Sequence, residues 1–168
     1  MTSQALTEYL GTNKISTVWE LSYANKGLGW LLPLPEGKKF PVPKGFTGEE
    51  GRDPTPEDYA RWDSEYKNPG FALRLSERVL VLNVDQHEKD GVAVDGAANF
   101  QAWEKEHNCK IPRKYIMTRG NPNREGHLFL SYSGGVTKGQ LCPSVDVLRH
   151  GHRYSVCDPT EIDGRRYK

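Results

Sequence analysis

Residues 78–91 read RVLVLNVDQHEKDG, and their first half is the most strongly apolar stretch of the chain. The run Val79-Leu80-Val81-Leu82 is typical of a central strand that is buried on both faces. Because alternate residues of a strand face the same side, Asn83, Asp85 and, if the strand continues, His87 are expected to share one face. A buried carboxylate needs a partner. A divalent metal ion is one such partner for Asp85, and a helix cap or a surface loop is the alternative.

Upstream of this strand the sequence predicts two helices. Thr17 and Glu20 have the spacing of a capping box, which predicts a helix that ends at Gly27. Thr55-Pro56 begins a second helix, with proline at its first position, that ends near Asn68.

The segment between these helices predicts a strand and a long loop. A strand is expected at residues 29–32, where Pro33 would end it. Prolines and glycines recur through residues 35–54, which predicts a loop. Loops of about 20 residues inside a compact domain are usually functional or disordered. This loop carries Lys38, Lys39 and Lys44.

Downstream, the sequence predicts a loop at residues 86–91 and an amphipathic helix across residues 94–107. Phe100 and Trp103 would lie on one face of that helix. Several strands in direct succession favour an α+β fold over a regular βαβ alternation. The predicted strands lie at residues 71–75, 78–84, 115–117, 126–132, 145–147 and 153–157.

The composition fits one polar domain. The chain has 168 residues, 36% of them hydrophobic and 27% charged, with a net charge of +1. That charge argues against a uniformly basic surface for nucleic acid, and it permits a basic groove that faces an acidic centre. Three widely spaced cysteines without a CxxC pair predict reduced thiols rather than a zinc knuckle. The chain shows neither a membrane-spanning run nor a signal peptide, so we expect it to work in the cytoplasm, the host's if it is phage-encoded.

Two further segments carry candidate functional residues. In Val145-Asp146-Val147 an acid stands in a short strand, where a solvent-facing aspartate on an edge strand is the simplest interpretation. His127 stands in another strand, and a lone strand histidine is more often structural than a ligand. The loop before it, however, contains Arg119 and Arg124, and arginines beside a strand histidine could clamp a triphosphate.

The order of these segments resembles the primase-polymerase domain of the archaeo-eukaryotic primase superfamily, found at the N-terminus of plasmid and phage replication proteins. The resemblance covers about residues 17–168. Residues 21–44 (LSYANKGLGWLLPLPEGKKFPVPK) are similar to the opening of that family, and residues 78–91 to its first metal motif. Residues 118–130 are similar to its nucleotide-binding segment, and residues 144–167 to its final acidic motif and the strand that follows.

The resemblance implies a fold and a reaction. The fold would be an antiparallel or mixed sheet like that of an RNA-recognition motif, backed by helices, with an additional N-terminal α/β unit. The reaction would be nucleotidyl transfer from an NTP or dNTP to a 3′-hydroxyl, with two Mg²⁺ or Mn²⁺ ions. The partners would be a single-stranded DNA template and a primer. We expect one primase-polymerase domain over residues 1–168, at the N-terminus of a longer replication protein that could carry a helicase domain.

The resemblance also assigns roles to residues. Asp85 and Asp146 match the metal-binding acids of the family, and His127 matches the residue that contacts the triphosphate. Positive charge for the phosphates would come from Arg119, Arg124, Lys38, Lys39 and Lys44.

The chain departs from the family at Asn83, where the acid-x-acid pattern expects a second acid. An asparagine carbonyl can bind Mg²⁺ or Mn²⁺, but it adds no negative charge. Alternatively, His87 or Glu88 supplies the missing ligand, or the active centre is crippled.

Two other functions stay open on the sequence. A sheet with a degraded metal site could be a module that binds single strands by stacking on exposed rings. The candidate rings are those of Trp30, Tyr115, Phe129 and Tyr132. A metal-dependent nuclease or nucleotide hydrolase would also use acids and a histidine.

Overall fold

The computed structural model describes residues 14–89, 91–113, 116–135 and 139–168. The helices in these residues are α1 (Ile15–Ser22), α2 (Pro56–Glu65) and α3 (Gly96–Glu106), with a 3₁₀ turn at Ala24–Lys26. The strands are β1 (Gly29–Leu34), β2 (Gly70–Leu75), β3 (Val79–Val84), β4 (Gln86–Lys89), β5 (Val92–Asp95), β6 (Ile116–Met117), β7 (Gly126–Ser131), β8 (Gln140–Cys142), β9 (Val145–Arg149), β10 (Tyr154–Cys157), β11 (Glu161–Ile162) and β12 (Arg165–Arg166).

Strand β3 is the centre of a five-stranded antiparallel sheet with the order β6-β7-β3-β9-β8. Leu80 and Leu82 pack with Phe100 of α3 in one core. Val79 and Val81, on the opposite face, belong to a second core. The run of four apolar residues is therefore explained by burial on both faces of the strand, and the predicted central strand is confirmed.

A three-stranded antiparallel sheet, β1-β2-β10, covers that second face. Its core contains the fully buried Leu31 of β1 and Phe71 of β2, together with Trp62 of α2. Helices α1 and α2 meet through Trp19 and Tyr59, whose rings stack 5.0 Å apart. The molecule thus has the predicted α+β composition, with antiparallel sheets and few helices.

The predicted start of the first helix at Thr17 is wrong, because α1 begins two residues earlier, at Ile15. Lys14 occupies the N-cap position without a side-chain cap. Asp63 of α2 takes over that role, and its Oδ1 accepts from the Ile15 N–H at 2.6 Å. A cap that comes from 48 residues away leaves no local sequence signal. Helix α1 itself ends at Ser22, and the 3₁₀ turn that follows it ends at Gly27, as the sequence predicted. Gly27 has a φ of 63°, the left-handed conformation that is common at such an end.

Strand β1 continues through Pro33 to Leu34, so the predicted break at this proline is wrong. In the described part of the chain β1 is an edge strand that pairs with β2 alone. An edge strand tolerates proline, because an outward-facing nitrogen has no ladder bond to lose.

The loop predicted at residues 86–91 is wrong in part, because β4 occupies Gln86–Lys89 and pairs with β5 in a small hairpin that continues to Asp95. The third helix therefore begins at Gly96, and the Asp95 side chain caps it by accepting from the Ala98 N–H at 3.1 Å. The second helix is confirmed, with a complete capping box between Thr55 and Asp58. The loop at residues 35–54 is confirmed as well.

Among the residues that the structure describes, no helix has the length and apolar character needed to cross a membrane.

Candidate active site

Three polar residues form a row across the middle of the five-stranded sheet. Asn83 of β3 lies opposite His127 of β7 on one side and opposite Asp146 of β9 on the other. Residues opposite each other in antiparallel strands project from the same face, so the three side chains are neighbours. By the alternation of strands, this is the face that also carries Val81 and Leu148, which pack toward the three-stranded sheet.

The row opens into a cleft of about 610 Å³. The structure thereby brings together six of the residues predicted from the sequence: Lys39, Asn83, Asp85, Arg119, His127 and Asp146. The cleft is also lined by residues to which the sequence assigned no role, among them Phe40, Gln86, His152, Arg153, Tyr154 and Tyr167.

Asp85 follows the last residue of β3, and its backbone is fixed on both sides. Its N–H donates to the Ser144 carbonyl at 2.9 Å, and its carbonyl accepts from the Gly96 N–H at 3.1 Å. A Cβ on Gly96 would stand 2.4 Å from that Asp85 carbonyl oxygen, so this position excludes any larger residue. The Asp85 side chain is exposed. A rigid backbone thus presents an open carboxylate to the cleft.

Asp146 is half-buried and only weakly neutralised. Its carboxylate lies 3.5 Å from Nη1 of Arg153 and 3.4 Å from Nε2 of Gln140. Arg153 is itself largely exposed, with 62% of its side chain accessible. Long contacts to a solvated arginine are worth little, so a cation could replace them at small cost.

His127 is held by its Nδ1 atom. Nδ1–H donates to the Val156 carbonyl at 3.0 Å, and the Ser155 hydroxyl lies 2.7 Å from the same nitrogen. Burial lowers the pKa of the ring to about 4, against the opposing effect of the Val156 carbonyl, so the ring is neutral at pH 7. The hydrogen bonds that the described residues make to this ring use Nδ1, which leaves Nε2 for a ligand. Tyr167 stacks on the ring at 5.7 Å.

Arg119 and Lys39 bring positive charge to the cleft. One guanidinium nitrogen of Arg119 lies 3.4 Å from both the Ile162 carbonyl and an Asp163 carboxylate oxygen. The Lys39 side chain is exposed, while its carbonyl accepts from the Tyr154 hydroxyl at 2.9 Å. Both cations can therefore reach an anion without breaking a buried ion pair.

Four predicted site residues lie outside the cleft lining. Lys38 and Lys44 are exposed on the same loop as Lys39. Arg124 pairs with Asp95 at 3.2 Å and lines a separate depression beside α3. His87 is exposed on β4, because β3 ends at Val84 and a new hairpin begins at Gln86. Glu88 lies on the same hairpin.

The acids of the cleft suit an open metal site that a substrate completes, and not a site enclosed by protein side chains. Within the described residues, no three His, Cys, Asp or Glu side chains form a group that could enclose a metal ion. Mg²⁺, however, is commonly held by one or two carboxylates, with waters and substrate phosphates completing its shell. Asp85, Asp146 and the Asn83 amide fit such a site, which a nucleotide would complete.

Of the rings considered for base stacking, Phe129 packs against a core and Trp30 lies 6.3 Å from the His150 ring. Tyr132 is half-buried beside the other core. Tyr115 lies outside the described residues.

Sequence reasoning missed Ser155, Arg153 and Tyr167 as members of the site. Each reaches it through tertiary structure: Ser155 and Arg153 come from β10 and the turn before it, and Tyr167 from the segment after β12. The HRYS sequence at residues 152–155 combines charge and hydroxyl groups, and it is a local signal for Arg153 and Ser155 but not for Tyr167.

A family model described as "Bifunctional DNA primase/polymerase, N-terminal" (Prim-Pol) matches residues 20–168. The matched range contains both large sheets and every residue that lines the cleft. Comparisons with curated proteins and with solved structures found no match.

Proposed function

Since the chain belongs to the bifunctional DNA primase/polymerase (Prim-Pol) family, we propose that it transfers nucleotides from NTPs or dNTPs to a 3′-hydroxyl, directed by a DNA template. The observation that supports this most is the cross-strand row of His127, Asn83 and Asp146 beside Asp85 in one cleft.

The proposal gives each cleft residue a task. Asp85 and Asp146 would hold Mg²⁺ or Mn²⁺ together with the triphosphate, while Asn83 adds a neutral oxygen. The bound ions would neutralise the phosphates and activate the 3′-hydroxyl. Nε2 of His127 would face the triphosphate, whose negative charge would favour a protonated ring, so that Nε2–H donates to a phosphate oxygen. Arg119 with Lys39 would balance the remaining charge.

The fold proposal goes further than the α+β class. We assign the five-stranded sheet and α3 to the RNA-recognition-motif-like core of the archaeo-eukaryotic primase fold. Helices α1 and α2 with β1 and β2, all from the first 75 residues, would form its N-terminal unit. What supports this is the antiparallel sheet with a helix on one face. The described residues would form one primase-polymerase domain.

The test is an assay on primed and unprimed single-stranded DNA, with NTPs or dNTPs and either Mg²⁺ or Mn²⁺. We expect extended primers or new primers, with release of pyrophosphate. Asp85→Asn and Asp146→Asn should each lower the rate about 100-fold or more, because a catalytic metal contributes several kcal/mol. Glu77→Gln, an exposed acid at the opposite end of β3, is the matched control and should keep full activity.

Other outcomes would contradict the proposal. Inorganic phosphate or cleaved DNA as the product would indicate a hydrolase or a nuclease. No product with either metal, and no effect of Asp85→Asn on nucleotide binding, would leave the polymerase assignment without support.

One observation favours a second candidate function. Asn83 stands between His127 and Asp146 where the family pattern expects an acid, and a site weakened in this way suits a module that binds single strands without catalysis. Metal-dependent dNTP binding, measured by calorimetry, would count against that candidate.

A further inference from the structure

Phe40 is a large apolar side chain that is exposed to solvent. It is 70% exposed, and Val92 at 65% is the other large exposed apolar side chain among the described residues. Phe40 also lines the cleft, where it follows Lys39. Because the Phe40 ring is largely exposed at the rim of a polar cleft, its face is accessible to a ligand that extends out of the cleft.

The loop that carries Phe40 is anchored on both sides of this residue. Before it, the Lys39 carbonyl accepts from the Tyr154 hydroxyl at 2.9 Å. After it, buried Arg74 donates to the Phe46 carbonyl at 3.0 Å and to the Gly51 carbonyl at 2.6 Å. The exposure of Phe40 is therefore a property of a fixed loop. An anchored backbone lowers the entropic cost of ordering this part of the loop when a ligand binds.

The segment that contains Phe40 carries three lysines, and Glu36, Glu49 and Glu50 lie just outside it. From Gly37 to Gly48 the loop contains Lys38, Lys39 and Lys44 and no acidic residue. Lys39 lines the cleft, whereas Lys38 and Lys44 are exposed beyond it. Positive charge is thus present both in the cleft and on the exposed loop beside it.

We propose that Phe40 stacks on a base of the single-stranded DNA that runs past the cleft, and that Lys38 and Lys44 contact its phosphates. This inference rests on the proposed function and adds the surface that holds the template. A ring with cations beside it suits a single strand, because every base has a face for stacking and every nucleotide has one phosphate. The sequence pointed to other rings, and the structure redirects the stacking role to Phe40.

The first test measures the affinity of the whole chain for a fluorescent oligo(dT) by anisotropy. Phe40→Ala should weaken binding about 5- to 150-fold, the effect of losing one stacked base. Phe40→Trp should bind at least as tightly as wild type. Val92→Ala, which removes the other exposed apolar side chain, should change nothing. The affinity for dNTP, measured by calorimetry, should be the same in Phe40→Ala and wild type.

Salt dependence separates stacking from charge. Lys38→Ala and Lys44→Ala should each reduce the slope of log K against log salt by about 0.7, the value for one phosphate contact on a single strand. Phe40→Ala should weaken binding without changing that slope. Such a pair of results would assign the ring to bases and the lysines to phosphates.

The inference is overturned if Phe40→Ala binds oligo(dT) as wild type does, if it weakens dNTP binding instead, or if wild type binds no oligo(dT). Primer extension keeps the two proposals apart. Normal extension by wild type with no effect of Phe40→Ala on DNA binding removes this inference alone. Loss of oligo(dT) binding in Phe40→Ala, with no extension by wild type, removes the polymerase proposal and leaves the stacking surface.

Discussion

Asn83 is the residue at which this site differs most from the family pattern, and it stands between His127 and Asp146. We expect Asn83→Asp to raise the affinity for Mn²⁺ about tenfold, because a charged oxygen ligand replaces a neutral one. Without metal the same change should lower the melting temperature, since two carboxylates then lie side by side.

Calorimetric titration of Mn²⁺ and thermal unfolding with and without metal check this expectation. Asn68→Asp, which adds the same charge in an exposed turn before β2, is the control. Equal Mn²⁺ affinity in Asn83→Asp and wild type would mean that this position does not contact the ion.

Ser155 is fully buried, and its hydroxyl lies 2.7 Å from Nδ1 of His127. It is a positioning residue: with the Val156 carbonyl it keeps the ring proton on Nδ1. One such hydrogen bond contributes about 1 kcal/mol, so Ser155→Ala should lower kcat/KM about fivefold. The ¹⁵N resonances of the His127 ring should show both neutral tautomers in the variant.

Ser64→Ala, on an exposed part of α2, serves as the control for this prediction. If the ring of His127 keeps a single tautomer in Ser155→Ala, the serine has only a packing role.

At the scale of single residues, the sequence predicted site roles for residues whose neighbours along the chain carry a signal. Asp85 ends an apolar strand, and His127 follows a loop with two arginines. The contact between Ser155 and His127 joins residues 28 positions apart, and the strand that carries Ser155 belongs to the other sheet. No local pattern reports such a pair.

Among the elements, the lysine loop depends on Arg74 of β2. This arginine is 4% exposed and donates to two loop carbonyls and to Asp53 at 2.7 Å. Arg74→Met should lower the free energy of unfolding by about 3–5 kcal/mol, because it leaves those buried carbonyls without a donor. Trypsin should then cut faster after Lys38 and Lys44.

Urea unfolding and limited proteolysis measure the two effects of this change. Arg74→Lys retains the charge but cannot make all three bonds, so we expect an intermediate result. Unchanged cleavage in Arg74→Met would show that the loop is held by other contacts.

The end of α3 is fixed by Glu104, which is 3% exposed and bonds both guanidinium η nitrogens of Arg113 at 2.9 Å. Arg113 lowers the pKa of Glu104 from 4.5 to about 2, against the effect of burial. A lowered carboxylate pKa stabilises the fold above the unfolded-state pKa, and this stabilisation is lost as pH falls from about 4.5 toward 2.

Glu104→Gln should therefore be less stable than wild type by roughly 3 kcal/mol at pH 7, and the difference should shrink below pH 4.5. Urea titrations at pH 7, 4 and 3 measure it. Glu106→Gln, an exposed acid on the same helix, should show no such pH dependence. A difference that stays constant with pH would exclude the ion pair as its cause.

The helices and strands that could be predicted are those whose ends are marked by residues of their own sequence. Helix α2 carries its capping box in its own sequence, and its predicted start is correct. Helix α1 takes its cap from Asp63 of α2, and β1 runs through a proline because it is an edge strand. The predicted start of α1 and the predicted break of β1 at Pro33 were wrong for one reason. In both cases the tertiary structure overrides a rule that considers only neighbouring residues.

For the whole molecule, the apolar run at residues 79–82 predicted the centre of the fold. The strand that it forms contributes to two cores, one under α3 and one under the three-stranded sheet. The order of the strands could not be predicted, because β10 follows β9 in the chain but pairs with β2 in the other sheet. This pairing places Ser155 of β10 beside His127, at one wall of the cleft.

The most direct test of the account is a crystal of the protein with Mn²⁺ and a dNTP, examined by anomalous scattering. We expect a manganese peak within about 2.0–2.4 Å of carboxylate oxygens of Asp85 and Asp146 and of the triphosphate. Nε2 of His127 should be within hydrogen-bond distance of a phosphate oxygen. A nucleotide bound away from this cleft, or manganese held by His87 and Glu88 on the hairpin, would contradict the account.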